Sequence, residues 1–269
     1  MNNYKVTELY IYPIKSLGGF SVLSAEVTDR GFKFDRRWML IDKENKFLSQ
    51  RSVKEMSLLQ TEISDDYLIV FNKHNSKEQI QILLEPELSK INSAIVWDDA
   101  VNVMIYENEV NEWFSNQLKY ECKLVYMPDK SKRKVDNTFA SKNEITSLSD
   151  GYPFLIIGEE SLNLLNSKLE TPLPMNRFRP NIVFFGGSAH DEDSWKQFKI
   201  NDITFKPVKT CLRCVITTID QETGEQGIEP LKTLSTYRRT ENNKVKFGMN
   251  LLHEGEGVVC VGDELKVNP

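Results

Sequence analysis

Cysteine is scarce in this chain, with four residues among 269. Small secreted proteins that depend on disulfides carry cysteine at a much higher density, so a disulfide scaffold is excluded. A chain of this length buries roughly three quarters of its unfolded surface and needs no covalent or metal staple to fold. Two of the cysteines, Cys211 and Cys214, lie three positions apart. Such a close pair in a cytosolic protein indicates a metal, redox or nucleophilic role, or none at all.

Long hydrophobic runs and a surplus of positive charge are also missing. No apolar segment approaches the roughly 20 residues that a membrane-spanning helix needs, and the polar start resembles neither a signal peptide nor a transit peptide. We therefore expect a soluble, cytoplasmic protein with no membrane partner. The chain has 34 Lys and Arg against 39 Asp and Glu, a formal net charge of −5. This balance argues against nucleic-acid binding, which needs a basic face, although a local anion site stays open.

Nucleotide-binding and hydrolase motifs are missing as well. There is no Walker A sequence, and Gly255-Glu-Gly257 lacks the third glycine of GxGxxG, so it predicts a hairpin turn. Gly186-Gly-Ser188-Ala-His190 carries histidine where a nucleophile elbow needs glycine. The three histidines are far apart in sequence without metal-ligand spacing, so each is expected on the surface or in a loop.

Short β-rich runs fill the first part of the chain, and one helical pattern follows them. Val110, Trp113, Phe114 and Leu118 fall at i, i+3, i+4 and i+8, which is the spacing of one helix face. The segment 128–150 is rich in Lys, Ser, Thr and Asn and is interpreted as a long loop between domains. It is either a solvated linker or a flap over an anionic ligand.

The predicted fold class is α+β with two domains built around barrel-like or strongly bent sheets. Residues 1–127 form the N-terminal β-rich domain, 128–150 the linker, and 151–269 a β-barrel domain with flanking helices. The elements predicted in the second domain include helices at Glu159–Glu170 and Glu229–Thr240, a strand at Cys214–Asp220, and a closing hairpin of Val258–Val261 and Glu264–Val267.

The segment Cys211-Leu-Arg-Cys214 allows three interpretations. A zinc site would need two further ligands, and no second CxxC or HxxxH occurs. A thioredoxin-type CxxC opens a helix after a strand, whereas the run after Cys214 predicts a continued strand. In the third interpretation one thiolate binds a soft metal that an organic cofactor already carries.

Cations and amides elsewhere in the chain favour the third interpretation, because together they would suit a phosphate-bearing ligand. These residues are Lys15, Ser16, Arg36, Arg179, Asn181 and Arg213. Taken singly, each has a structural alternative as a surface ion pair, a turn residue or a solvated side chain.

Five short motifs follow one another along the chain. They are Tyr12-Pro-Ile-Lys15-Ser16, Asp35-Arg36-Arg-Trp38, Phe178-Arg179-Pro-Asn181, Cys211-Leu-Arg-Cys214 and Phe247-Gly-Met-Asn250. In this order they resemble the MOSC proteins, named after the C-terminal domain of molybdenum cofactor sulfurase. The resemblance covers nearly the whole chain and is nearest to the mitochondrial amidoxime-reducing component and its bacterial counterparts.

The resemblance implies a molybdenum cofactor (Moco), in which a molybdopterin dithiolene, oxo groups and one protein thiolate hold the metal. Cys214 is the implied metal ligand and catalytic residue, and a neighbouring arginine favours its ionised form. Leu212 stands where the family has serine, so its backbone alone serves there, and Asn250 stands near a family tyrosine. Asp150-Gly-Tyr152 replaces a hydroxyl-rich triplet. The implied cofactor-binding residues are Lys15, Ser16, Arg36, Arg179, Asn181, Leu212, Arg213, Cys214 and Asn250.

The implied function is that of a molybdenum-dependent oxidoreductase that removes oxygen from small N-oxygenated substrates, such as N-hydroxylated bases and amidoximes. The alternative is a non-catalytic module that carries the cofactor or transfers sulfur through a Cys214 persulfide. A separate flavin or iron–sulfur protein would donate electrons, because beyond Cys214 the sequence has only Cys260 and no set of four cluster cysteines. Asp150 and Asp220 are candidate proton donors.

Overall fold

The structure is a computed structural model that describes residues 3–87, 90–140 and 142–268. The strands before residue 130 are β1 Tyr4–Ile11, β2 Phe20–Val22, β3 Ser24–Thr28, β4 Gly31–Phe32, β5 Trp38–Ile41, β6 Leu59–Ser64, β7 Tyr67–Asn72, β8 Asn75–Leu83, β9 Ile91–Val96, β10 Asp99–Ile105 and β11 Lys123–Tyr126. The later strands are β12 Arg133–Lys134, β13 Ile145–Thr146, β14 Phe154–Gly158, β15 Ile182–Phe185, β16 Gln197–Ile200, β17 Ile203–Arg213, β18 Val245–Glu254, β19 Gly257–Cys260 and β20 Glu264–Asn268. The α-helices are α1 Asn108–Leu118, α2 Glu159–Asn166 and α3 Leu231–Leu234.

Seven strands close into a barrel. Their order is β15-β14-β18-β17-β16-β20-β1, and β1 returns to pair with β15, while β2 extends the sheet beside β1. Aromatic side chains fill the interior, where the Phe205 ring lies 5.4 Å from that of Phe154 and 5.3 Å from that of Phe198. Because β1 comes from the start of the chain, the barrel joins strands from both sides of segment 128–150. The domain boundaries at 127 and 151 therefore stay a prediction.

Two smaller sheets and α1 form the N-terminal part. β5, β11, β10 and β9 make one sheet, and β6, β7 and β8 make a meander. On α1, Phe114 and Leu118 are buried four residues apart and pack near the fully buried Trp38, so the predicted helix is confirmed. The Trp38 indole N–H donates to the Tyr106 hydroxyl at 2.9 Å, which satisfies its polar atom inside the core. Together with the barrel, this β-rich arrangement confirms the predicted α+β class.

The segment 128–150 contains a two-stranded ribbon of β12 and β13. Arg133, one of its basic residues, is buried and donates to the carbonyl oxygens of Ser147, Ser149 and Asp150 while pairing with Asp99 at 2.7 Å. Its charge therefore fixes the backbone that leads into β14 instead of facing solvent.

The strand predicted at Cys214–Asp220 is wrong, because Val215–Thr218 form a 3₁₀ helix. The hydroxyls of Thr217 and Thr218 donate to the carbonyls of Cys214 and Val215, three residues earlier. Such local bonds offer the backbone an alternative to a sheet ladder. The β-branched run alone did not reveal them.

The two predicted helices of the second domain are shorter than expected, and the closing hairpin is wrong. α2 ends at Asn166, and α3 covers four residues. After α3 the Ser235 and Thr236 hydroxyls bond to carbonyls three residues earlier. β19 pairs with β3, and β20 pairs with β16 and β1, so the two strands lie in different sheets. Among the helices of the described chain, none has the length and apolar character needed to span a membrane.

Candidate functional site

A cleft of about 840 Å³, measured to its open mouth, lies where loops from both parts of the chain meet. All nine residues that the sequence proposed for cofactor binding line this one cleft; they are Lys15, Ser16, Arg36, Arg179, Asn181, Leu212, Arg213, Cys214 and Asn250. The chain thus brings together residues that are up to 235 positions apart (250 − 15). Their individual roles stay predictions.

Lys15 and Ser16 lie in the turn that follows β1. The Lys15 backbone N–H donates to the Trp38 carbonyl at 2.8 Å, and the Ser16 carbonyl accepts a 2.7 Å bond from the Gln50 side chain. Gln50 is itself paired with Gln221 through both amide groups. Buried amides therefore hold this turn, so the Lys15 ammonium enters the cleft from a fixed backbone.

Arg36 is anchored by its neighbours. Its Nη1 lies 2.8 and 2.6 Å from the two carboxylate oxygens of Asp35, and its Nη2 donates to the Arg179 carbonyl at 3.2 Å. Asp35 is 2% exposed and also accepts the Tyr12 backbone N–H. Asp35 therefore neutralises Arg36 and ties together the loops that carry Tyr12, Arg36 and Arg179.

The Arg179 guanidinium lacks a counter-ion. Within residues 3–87, 90–140 and 142–268, no hydrogen bond or ion pair to its guanidinium is found, and its contact is with the ring of Tyr12. Desolvation lowers the pKa of Arg179 to about 10; the nearby Arg36 charge acts in the same direction, while Tyr12, Asp35 and Asp150 oppose it. Arg179 is half-buried and lines the cleft, and a cation that faces a cleft without a protein acceptor is suited to a bound anion.

Three of the cleft residues have a left-handed backbone. The φ angles are 69° at Ser16, 48° at Arg36 and 55° at Arg179. Side chains other than glycine rarely adopt this region, and such strain collects at functional sites where the surrounding structure enforces it. The backbone therefore supports the same three residues that the motifs singled out.

The two cysteines lie at the end of β17. Cys214 is the residue that opens the 3₁₀ helix Val215–Thr218, with an extended φ of −125°. The Cys211 sulfur accepts a 2.9 Å hydrogen bond from Arg213 Nη1. Burial raises the pKa of the Cys211 thiol, although Arg213 opposes that effect. The Arg213 Nε is buried and has no partner among the described residues, which leaves a donor available to a ligand.

Asp150 lies among cations and cannot supply a proton near neutral pH. Its carboxylate is 2.6 Å from Lys15 Nζ and 3.7 Å from an Arg51 nitrogen, and it accepts the Trp97 indole N–H at 3.3 Å. Burial raises the pKa of Asp150, but Lys15, then Arg51 and Trp97, lower it by more, so the net pKa lies far below its usual range. The carboxylate is therefore ionised, and its proposed role as an acid loses support.

Asp220 is in a similar state and lies outside the cleft lining. Burial raises its pKa, but backbone N–H groups of Thr223 and Glu222, and then Arg177 at 2.7 Å, hold the pKa of Asp220 below its usual range. It serves as a structural acceptor for its own turn.

Lys15 should titrate near pH 8 in the apoprotein. Burial lowers the pKa of Lys15 to about 8, and Asp150 partly restores it. Asp150→Asn should therefore lower this pKa further. The pKa of lysine in an unfolded chain is about 10.4. Between pH 8 and this value the unfolded protein therefore binds more protons at Lys15 than the folded protein does. The free energy of unfolding should consequently rise with pH across this range. An NMR titration of labelled lysine side chains, assigned with Lys15→Arg, measures it; an ordinary Lys15 pKa would contradict the expectation.

Two of the proposed residues, Asn181 and Asn250, brace the backbone around the cleft, and a third, Leu212, lies at its mouth. Asn181 accepts the Leu155 backbone N–H and donates to the Tyr10 carbonyl, both at 3.3 Å. Asn250 donates to the Lys209 carbonyl at 3.2 Å. Leu212 is 43% exposed on the strand beside Asn250 and forms an apolar part of the mouth.

The sequence analysis missed other lining residues. Arg51 lies 4.6 Å from the Trp97 ring centroid and faces Asp150, and Arg177 sits two residues before Arg179. Arg51 carries no motif or periodicity that would distinguish it from a surface arginine. The charged residues that line the cleft are Lys15, Arg36, Arg51, Arg177, Arg179, Arg213 and Asp150. Six cations against one carboxylate suit a ligand that carries phosphate.

Two family models and several known proteins match this chain in sequence. A family model described as "MOSC N-terminal beta barrel domain" matches residues 3–121, and one described as "MOSC domain" matches residues 143–266. The chain is 33% identical over 275 residues to mitochondrial amidoxime-reducing component 1 of Mus musculus, which covers 96% of this chain and 80% of that protein. The Homo sapiens protein of the same name is 31% identical, with 96% and 81% covered. Molybdenum cofactor sulfurase of Oryza sativa subsp. japonica is 30% identical over 99% of this chain, which spans 35% of that protein.

Proposed function

Because the chain belongs to the MOSC family, in which a MOSC N-terminal beta barrel domain precedes a MOSC domain, we propose that it is a molybdenum cofactor-dependent oxidoreductase. Its substrates are small N-oxygenated compounds, and Cys214 is the molybdenum ligand. The observation that carries the proposal is one cleft in which the Cys214 thiol lies with six cations, one of them an arginine whose guanidinium has no counter-ion among the described residues.

The cleft suits both the metal of the cofactor and its pterin and phosphate groups. A thiolate is a soft ligand suited to a soft metal centre, and Cys214 lines the cleft at a strand end held by the β17–β18 pairing. Arg179 and the unpartnered Arg213 Nε offer donors to phosphate or pterin atoms. When bound, the molybdenum cofactor supplies a two-electron redox centre.

The overall reaction consumes two electrons and two protons. An N-hydroxy compound RNHOH becomes the amine RNH₂, its N–O bond breaks, and the oxygen leaves as water. Asp150 and Asp220 are ionised, so neither supplies these protons. The Lys15 ammonium in the cleft keeps its proton at neutral pH, because its pKa of about 8 lies above it. The protons therefore come from water or from Lys15, and exchange with solvent restores them.

The electrons should come from a separate protein. An iron–sulfur cluster needs about four cysteine ligands, and the chain's four include Cys122, which is buried in the N-terminal core, whereas Cys211 and Cys214 line the cleft. Purified protein with NADH alone should be inactive towards an amidoxime probe such as benzamidoxime, and a flavin or iron–sulfur reductase should restore turnover. The reductase without this chain is the control. NADH-driven turnover by the isolated chain would contradict the proposal.

Metal analysis distinguishes the proposed enzyme from its alternatives. Protein from cofactor-competent cells should carry close to one molybdenum per chain and reduce the probe when the reductase is present. A cofactor carrier would hold molybdenum without turnover, and a sulfur-transfer module would yield a Cys214 persulfide by mass spectrometry. Zinc in place of molybdenum would refute both the enzyme and the carrier.

A further inference from the structure

The ring of Tyr12 lies under two guanidinium groups of the cleft. The Cζ atoms of Arg36 and Arg179 are each 4.3 Å from the centre of this ring. Tyr12 is 2% exposed and follows the last residue of β1. Cations within about 6 Å of an aromatic centre are attracted to its π-electrons, and the attraction strengthens where water is excluded.

The two arginines depend on Tyr12 to different degrees. Arg36 has the Asp35 carboxylate at 2.6 Å, so its orientation is fixed without the ring. Arg179 has no acceptor among the described residues, and the Arg36 charge opposes its own. Asp35 and Asp150 attract it at longer range, so the ring is the direct contact that holds the Arg179 guanidinium while no anion is bound.

The Tyr12 hydroxyl contributes no hydrogen bond to this arrangement. Its oxygen is buried without a partner in the described part of the chain. Burial raises the pKa of Tyr12 to about 12, so the ring is neutral and keeps the charge distribution that attracts cations. The aromatic face, and not the hydroxyl, is what the arginines use.

We propose that Tyr12 is a positioning residue for the anion site, whose ring holds Arg179 beside Arg36 in the orientation that receives the cofactor's phosphate. This rests on the proposed cofactor site. Without the ring, the Arg179 guanidinium would turn away from the like charge of the fixed Arg36 into solvent, and anion binding would have to bring it back at a cost in conformational freedom.

The test measures binding of inorganic phosphate to the apoprotein by calorimetry, so it needs neither cofactor nor turnover. Tyr12→Leu should bind phosphate roughly tenfold more weakly, as expected for the loss of a desolvated cation–π contact. Tyr12→Phe should bind within about twofold of the wild type. Tyr10→Leu is the matched control, since Tyr10 stacks on Tyr12 with centroids 6.2 Å apart and, in the part of the chain that the structure describes, carries no arginine over its ring.

A double variant and a fluorinated ring at position 12 test whether Tyr12 acts through Arg179 and through its π-electrons. In an Arg179→Ala background, Tyr12→Leu should cause no additional loss, because Tyr12 acts through that arginine. Pentafluorophenylalanine at position 12 keeps the ring's shape while reversing its attraction for cations, and should weaken binding like leucine even if Tyr12→Leu folds poorly. Equal phosphate binding by the fluorinated and phenylalanine proteins would overturn the inference. A wild type that binds neither phosphate nor molybdenum would instead overturn the cofactor site itself.

Discussion

Cys214→Ala should lose its molybdenum and all measurable reduction of N-hydroxylated substrates. The variant removes the thiolate proposed as the protein's ligand to the metal, and the redox behaviour of the centre depends on that ligand. Cys214→Ser should recover little, since a hydroxyl is harder and far less acidic than a thiol. Molybdenum per chain and benzamidoxime reduction under one reductase measure both losses.

Cys211→Ala is the matched control, because it removes a thiol three residues away that lines the same cleft. Its expected cost is modest. The Cys211 sulfur accepts one bond from Arg213, which still donates to the Phe178 carbonyl. Loss of one such acceptor costs about 1 kcal/mol, so molybdenum content should remain and activity should fall by less than about tenfold.

Equal and complete loss from both single variants would contradict the assignment of one ligand. It would favour the paired-thiol interpretations, zinc binding or disulfide redox, since each needs both sulfurs. Correct folding of the Cys214→Ala apoprotein must be checked first, which an unchanged unfolding temperature relative to wild-type apoprotein shows.

The proposed metal ligand and anion-binding residues could be predicted from the sequence because they lie in short motifs. Cys214 and Arg179 were marked by short patterns whose residue types already suggest a soft ligand and an anion partner. Arg51 was not, because its role comes from Asp150 and Trp97, which are about 100 and 46 positions away in the sequence (150 − 51 and 97 − 51). The function of Tyr12 was hidden for the same reason, since its significance lies in two arginines that arrive from elsewhere.

The closure of the barrel also could not be predicted. Alternation in β1 indicates a strand and its buried face, but not that β1 pairs with β15, in which Val6 faces Phe184. Pairing over such a separation is decided by the whole barrel interior and not by local pattern. The wrong strand prediction at Cys214–Asp220 has a local cause. The hydroxyls of Thr217 and Thr218 close turns within Cys214–Thr218, which the β-branched sequence does not indicate.

Arg179→Ala should affect the apoprotein and the loaded protein in opposite directions. In the apoprotein it removes a half-buried cation that has no ion-pair partner among the described residues and that Arg36 repels, so the free energy of unfolding should stay constant or rise. In the loaded protein it removes a charge-assisted contact to phosphate, which should cost about 1.5–3 kcal/mol of cofactor binding. Chemical unfolding of the apoprotein and molybdenum content after purification measure the two effects.

Arg238→Ala is the control for this prediction. Arg238 is buried, pairs with Asp193 at 2.6 Å and lies outside the cofactor cleft. Its loss should destabilise both forms by up to about 3 kcal/mol, since Lys246 still faces Asp193, and should leave molybdenum content unchanged. If Arg179→Ala instead behaved like Arg238→Ala, with lower stability and full molybdenum content, Arg179 would be a structural residue. The unpaired guanidinium would then have to be satisfied within the protein itself, and the anion site would lose its main support.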